Sequence, residues 1–88
     1  MNISFTENFN EQLRELNDAK LTLFVVEIIQ NVENAKSPHE IKSIKKLKGY
    51  KTAFRIRQGN YRIGIFIEKG EVLFAAIALR KNIYKRFP

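Results

Sequence analysis

Four arginines carry the chemistry that this 88-residue chain is best equipped to perform. Arg55 and Arg57 alternate with Phe54 and Ile56 in "FRIR". Arg62 follows a Gly-Asn break in "QGNYR", and Arg80 closes the apolar run "EVLFAAIALR". A guanidinium stays protonated at ordinary pH and presents a planar fork of N–H donors that matches phosphate oxygens. Several of them brought together repel one another, and an anion placed among them removes that cost. The residue types therefore point to phosphate binding.

The surrounding charge supports a polyanionic partner. Residues 1–40 hold seven acids and three bases, whereas residues 41–88 hold two acids and thirteen bases; the formal net charge is +7. Between Glu40 and Glu68 there is no acid, and Lys42, Lys45, Lys46, Lys48 and Lys51 lie there with the three arginines. A cationic half on a small domain suits nucleic acid first and an acidic protein second. The bland alternative is a solvated basic surface, although such surfaces usually intersperse both signs. There are no cysteines, which excludes disulfides and thiolate metal sites and fits a reducing cytoplasm. His39, the one histidine, follows Pro38 and reads as a loop residue. The start "MNISFTENF" lacks the basic-then-apolar order of a signal peptide. No apolar run approaches the ~20 residues of a membrane helix, so no membrane partner is expected.

The elements that must position the arginines follow from periodicity. "NISF" alternates and predicts a first strand. Phe9, Leu13 and Leu16 fall on one face of a helix that Thr6 or Asn8 can cap, Asn8 and Glu11 having capping-box spacing. Asn17-Asp18 breaks the pattern. A second helix then fits from Ala19 to about Ala35, with Leu21, Phe24, Val25, Ile28 and Val32 inward, and Pro38 beyond its end. So short a connection makes the two helices an antiparallel hairpin. The second half changes to period two in "TAFRIR", "YRIGIFIE" and "EVLFAAIALR", with turns at Gln58-Gly59-Asn60 and Lys69-Gly70. The expected fold is one α+β domain over residues 1–88. It has a small antiparallel sheet with a helical hairpin packed on one face, in the order β-α-α-β-β-β.

Alternation then assigns faces. Phe54, Ile56, Tyr61, Ile63, Ile65 and Ile67 turn toward the helices. Arg55, Arg57, Arg62 and Arg80 share the opposite, open face with Gly64, Ala76 and Ala78. The small residues leave a concavity there, walled by arginines, with Phe66 and Phe74 as an apolar floor that a partner's helix or strand could cover.

Four pieces of the chain in order, "KKLKG" at 45–49, "FRIRQGNYRIGIFIE" at 54–68, "LRKNIY" at 79–84 and the helical hairpin before them, resemble the RelE/ParE superfamily of type II toxins. The resemblance is closer to the RelE-like branch and covers nearly the whole chain. It implies a ribosome-dependent mRNA endonuclease that uses the 2′-hydroxyl of RNA as nucleophile and needs no metal or other cofactor. It also implies a cognate antitoxin, with the ribosome and mRNA as further partners. By position, Arg55 and Arg57 match the paired basic residues of the second strand. Arg62 matches the arginine that contacts the scissile phosphate, Arg80 the arginine after the last strand, and Tyr84 the C-terminal tyrosine that stacks on a base or assists proton transfer. Lys45, Lys46, Lys48, Lys51, Lys81, Lys85 and Arg86 are the expected contacts to RNA phosphates. The sequence departs from the family pattern where a proton acceptor is often found. Both strand positions are arginine, and Leu79 replaces a histidine. Lys46, Lys81 and Tyr84 are then the candidates for proton transfer. A ParE-like inhibitor of DNA gyrase, or a basic RNA-binding module without catalysis, is the alternative.

Overall fold

Short polar residues start and stop the helices at the places where the periodicity breaks. The structure is a computed structural model that describes residues 1–88. The first strand, β1 (Asn2–Phe5), leads into α1 (Glu7–Leu16), where the Thr6 hydroxyl accepts from the Phe9 N–H at 3.0 Å. Asn17 ends α1 in the left-handed region (φ 46°), a conformation that asparagine tolerates. Asp18 immediately caps α2 (Ala19–Asn34), its carboxylate accepting from the Leu21 N–H at 3.0 Å. A 3-10 turn over Pro38–Glu40 precedes β2 (Ile44–Lys46), β3 (Ala53–Gln58), β4 (Tyr61–Glu68), β5 (Glu71–Leu79) and a last turn of helix, α3 (Ile83–Arg86).

The sheet has the order β1-β5-β4-β3-β2. The pairings β2–β3, β3–β4 and β4–β5 are antiparallel, and β1 pairs with β5 in parallel. The expected order β-α-α-β-β-β lacked β2 and α3. The first is a three-residue basic strand at the sheet edge. The second has the spacing of a helix only in Ile83 and Phe87. The parallel β1 makes the sheet mixed.

One face of the sheet carries α1 and α2. Phe9, Leu21, Val25 and Val32 from the helices meet Ile56, Ile63, Ile65, Ile67, Val72, Phe74 and Ile77 from the strands. Burying a side chain of this size contributes about 1.5–3 kcal/mol. Phe9 and Phe74 pack edge to face at 5.6 Å between ring centroids, and Phe5 lies 5.7 and 5.2 Å from them.

Phe74 corrects the face assignment. Gly64 lies opposite Ala76, but Ile65 lies opposite Phe74, so Ala75 is an extra residue in β5. A bulge of one residue reverses the parity of everything before it. Val72 and Phe74 thereby turn toward the helices and Leu73 joins Phe66 on the other face. Phe74 is fully buried in the helix-side core and is no part of an open apolar floor.

The opposite face is not open either. Ala53, Ala76, Ala78, Ile83 and Phe87 form a second buried cluster, against which Phe66 packs. The Phe87 ring lies over Gly64, so closely that a Cβ there would overlap it, and stands 4.9 Å from Phe66. The small residues Gly64, Ala76 and Ala78 thus receive α3 rather than leave an empty concavity, and Phe66 is covered by the chain itself.

Candidate active site

The β3–β4 hairpin builds the centre of the site. Gly59 and Asn60 make its two-residue turn, and Gly59 supplies a φ of +56° that a larger residue would resist. The register sets Arg57 directly across from Arg62, and Arg55 across from Gly64. Like charges directly opposite one another destabilise a sheet. Two carbonyls of the turn region answer part of that charge. One terminal nitrogen of Arg62 (Nη1) donates to the carbonyls of Gly59 and Tyr61, both at 2.8 Å. The backbone N–H of Arg80 donates to the Asn60 carbonyl at 2.8 Å, which ties the end of β5 to the same turn.

Arg62 is only 8% exposed, the one charged side chain among the buried residues. Its pKa is lowered from the ordinary arginine value, first because burial removes water from the charge and then because Arg55, Arg57 and Arg80 repel it. The Tyr84 hydroxyl acts in the opposite sense, and no carboxylate is among the charges that act on Arg62. The four arginines assigned from the sequence therefore do come together, with Tyr84 close to them. Arg55 is half-buried, whereas Arg57 and Arg80 are exposed. The cluster keeps a desolvated cation at its centre and more exposed cations at its rim. Such a centre favours a doubly coordinated anion and gains more from it than a cation in bulk water would.

The lysines divide. Lys45 pairs with Arg55 across β2 and β3 and so shares the arginine face. Lys45, Lys46 and Lys48 line one groove together with Tyr50, Tyr84 and Phe87. Lys51, Lys81 and Lys85 are exposed and belong to neither this groove nor the arginine cluster. Arg86 lines a different groove, with Gln12 and Glu15 of α1. Of the candidates for proton transfer, Tyr84 is the one that lies close enough to act on Arg62.

Two features of the site escape sequence reasoning. The helix α3 that presents Tyr84 is held by Ile83 and Phe87, whose i, i+4 spacing was present in a segment that otherwise reads as a basic tail. Tyr50 stands half exposed beside the lysines, and nothing in its local pattern marks it. Tyr61 does face the helices, and its hydroxyl donates to the Asp18 carboxylate at 3.2 Å. His39 sits in the 3-10 turn, within reach of the Ser37 hydroxyl and away from the arginines. No helix is long and apolar enough to cross a membrane.

No family model matches the chain. It is 36% identical to Toxin RelE3 of Methanocaldococcus jannaschii over 89 residues, covering 100% of both chains. The crystal structure of the RelB–RelE antitoxin–toxin complex from Methanococcus jannaschii is similar with a TM-score of 0.79 at 35% identity, over 96% of this chain and 98% of the other. The toxin–antitoxin complex RelBE2 from Mycobacterium tuberculosis shares the fold at a TM-score of 0.68 and 22% identity, over 90% of this chain and 96% of the other.

Proposed function

The chain belongs to the RelE family of toxins, and from that premise we propose that it is a ribosome-dependent endoribonuclease that cuts mRNA without a metal ion and is neutralised by a cognate antitoxin. The observation that carries this reading is Arg62, buried, held on the carbonyls of Gly59 and Tyr61, and surrounded by Arg55, Arg57 and Arg80 with no acid acting on it. In the proposed step the 2′-oxygen of one nucleotide attacks the adjacent phosphorus. The bond from phosphorus to the 5′-oxygen of the next nucleotide breaks. The 2′-hydroxyl loses its proton and the leaving 5′-oxygen gains one, so the products are a 2′,3′-cyclic phosphate and a 5′-hydroxyl. Negative charge builds on the non-bridging oxygens at the five-coordinate stage. Preorganised guanidiniums meet it without reorganising, and removing one such donor typically costs 10²–10³-fold in rate. Tyr84 stands at the edge of the cluster, where it can pass a proton or hold a base.

The antitoxin is expected to be acidic where it meets residues 41–88, whose thirteen bases face only two acids. The surface first suggested by Phe66 and Phe74 is unsuitable for it, since α3 covers one and the helices bury the other.

The test is induced expression followed by primer extension on cellular mRNA. Cuts within codons and arrested translation are the expected result. Intact mRNA with induction of the DNA-damage response would overturn the reading in favour of a gyrase inhibitor, and harmless overexpression would leave a basic RNA-binding module.

A further inference from the structure

The groove between α3 and the β2–β3 loop differs from the rest of the surface. It has a volume of about 480 Å³ and is lined by Lys45, Lys46 and Lys48, with Tyr50 and Tyr84 as its large exposed side chains and Phe87 as an apolar wall. Tyr50 is 50% exposed and Tyr84 60% exposed. Four other grooves on the molecule each include a carboxylate: Glu68 with Glu71, Glu15, Asp18 or Glu27. This one has none. Three ammonium groups and two unstacked phenol rings around one groove match the two faces of a single-stranded nucleotide. The phosphate is drawn to the lysines, and the base offers a π surface to an aromatic ring.

The groove is also continuous with the arginine cluster. Tyr84 lines it and acts on Arg62 at the same time. Lys45, at its rim, pairs across the sheet with Arg55. The loop that carries Tyr50 is fixed by its own geometry. Gly49 adopts φ +87°, and the Tyr50 N–H donates to the Leu47 carbonyl at 3.3 Å.

We propose that this groove is a nucleotide subsite that takes one unpaired base of the RNA next to the scissile phosphate, stacked on Tyr50, with Tyr84 shared between the subsite and the arginine cluster. The assignment rests on the endoribonuclease reading and adds Tyr50 to its machinery as a substrate-binding residue.

The experiment uses the purified full chain and a short single-stranded RNA whose 2′-positions are methylated, so that it binds without being cut. The chain has no tryptophan and three tyrosines, so tyrosine emission reports directly on stacking. Quenching on titration is expected. Tyr50→Ala weakens binding about 5- to 100-fold, the range typical of one lost base–aromatic stack, and Tyr50→Phe binds within about two-fold of the parent because the ring remains. An RNA with an abasic site at the stacked position binds both the parent and Tyr50→Ala equally weakly. Circular dichroism confirms that both variants keep the fold. Binding by Tyr50→Ala that matches the parent, equal losses in Tyr50→Ala and Tyr50→Phe, or no measurable binding by the parent would overturn the subsite. Parallel cleavage assays on ribosome-bound mRNA separate the two claims. Ring-dependent binding without cleavage by the parent supports the subsite and refutes the nuclease. Cleavage with Tyr50→Ala unchanged in both binding and rate refutes the subsite and leaves the nuclease.

Discussion

Gly64→Ala tests how α3 is held on the sheet. Gly64 is buried in the middle of β4, opposite Arg55 on one side and Ala76 on the other. Its φ is not in the left-handed region, so alanine suits the backbone and only space opposes it. A Cβ at Gly64 would overlap the Phe87 ring. Two responses are open. The sheet and ring can shift together, and overpacking of this kind costs about 1–3 kcal/mol. Alternatively Phe87 can leave the slot, and exposing a phenylalanine gives up about 1.5–3 kcal/mol. Both routes converge on a loss near 2 kcal/mol, and a short terminal helix yields more readily than a central strand. At about 4–8 °C per kcal/mol for a domain of this size, Tm falls by roughly 10 °C. Hydrogen exchange at residues 83–87 accelerates more than exchange in β4. Phe87→Ala alone costs about 3–5 kcal/mol. Adding Gly64→Ala to it costs little more, because the methyl group now has room, so the two changes are strongly non-additive. The assay is calorimetry on the parent, the two single variants and the double variant. An unchanged Tm for Gly64→Ala, or simple additivity in the double variant, would refute the claim that the absent side chain at Gly64 is what seats Phe87.

Other outcomes follow from single contacts. Beyond the end of β1 the free edge of β5 is finished by α1: the Thr6 hydroxyl donates to the Ala75 carbonyl at 3.1 Å, and the Gln12 side-chain oxygen accepts from the Ile77 N–H at 3.0 Å. Gln12→Leu leaves the Ile77 N–H without a partner and should destabilise by about 1–3 kcal/mol, read as a lower denaturant midpoint. Asp18 has a pKa lowered from 3.8, first by the Leu21 N–H that it caps and also by the Tyr61 hydroxyl. A lowered folded pKa adds stability that is complete above the unfolded value and is lost as pH falls through the folded one. Asp18→Asn keeps a capping oxygen but does not titrate, so its Tm deficit should be present at pH 7 and shrink below pH ~4; a deficit independent of pH would show that the carboxylate charge contributes nothing. Binding of single-stranded RNA should weaken with salt with a slope of about −0.7 for each phosphate neutralised, and Lys45→Ala with Lys46→Ala should flatten that slope.

Much of this was legible in the residues, and the exceptions have specific causes. The alternation of Phe54 and Ile56 with Arg55 and Arg57, and of Ile63 and Ile65 with Arg62 and Gly64, is that of a half-covered sheet, and the structure keeps it. Asn17 and Asp18 marked the boundary between the helices because each has a role that a helix interior cannot supply. Phe74 was misplaced because the bulge at Ala75 changes parity inside a run of apolar residues, where either face looks equally plausible. The parallel pairing of β1 joins the first strand of the chain to the last, which no local pattern encodes. The strand β2 is short and basic, so its sheet hydrogen bonds left no apolar signature. At the site, the arginine cluster followed from face assignment alone. The groove did not, since it joins residues about forty positions apart through α3, and α3 is recognised only once Phe87 has a slot to enter.

In the proposed reaction Arg62 and its neighbours stabilise the transition state of RNA cleavage. Single-turnover cleavage of mRNA in a programmed ribosome measures it most directly, with the parent and a folded Arg62→Ala variant compared at saturating protein. A cut within the A-site codon, a 2′,3′-cyclic phosphate on the upstream product, and a rate lower by about 10²–10³-fold in the variant are expected. An undiminished rate in Arg62→Ala, or a parent protein that leaves ribosome-bound mRNA intact, would contradict it.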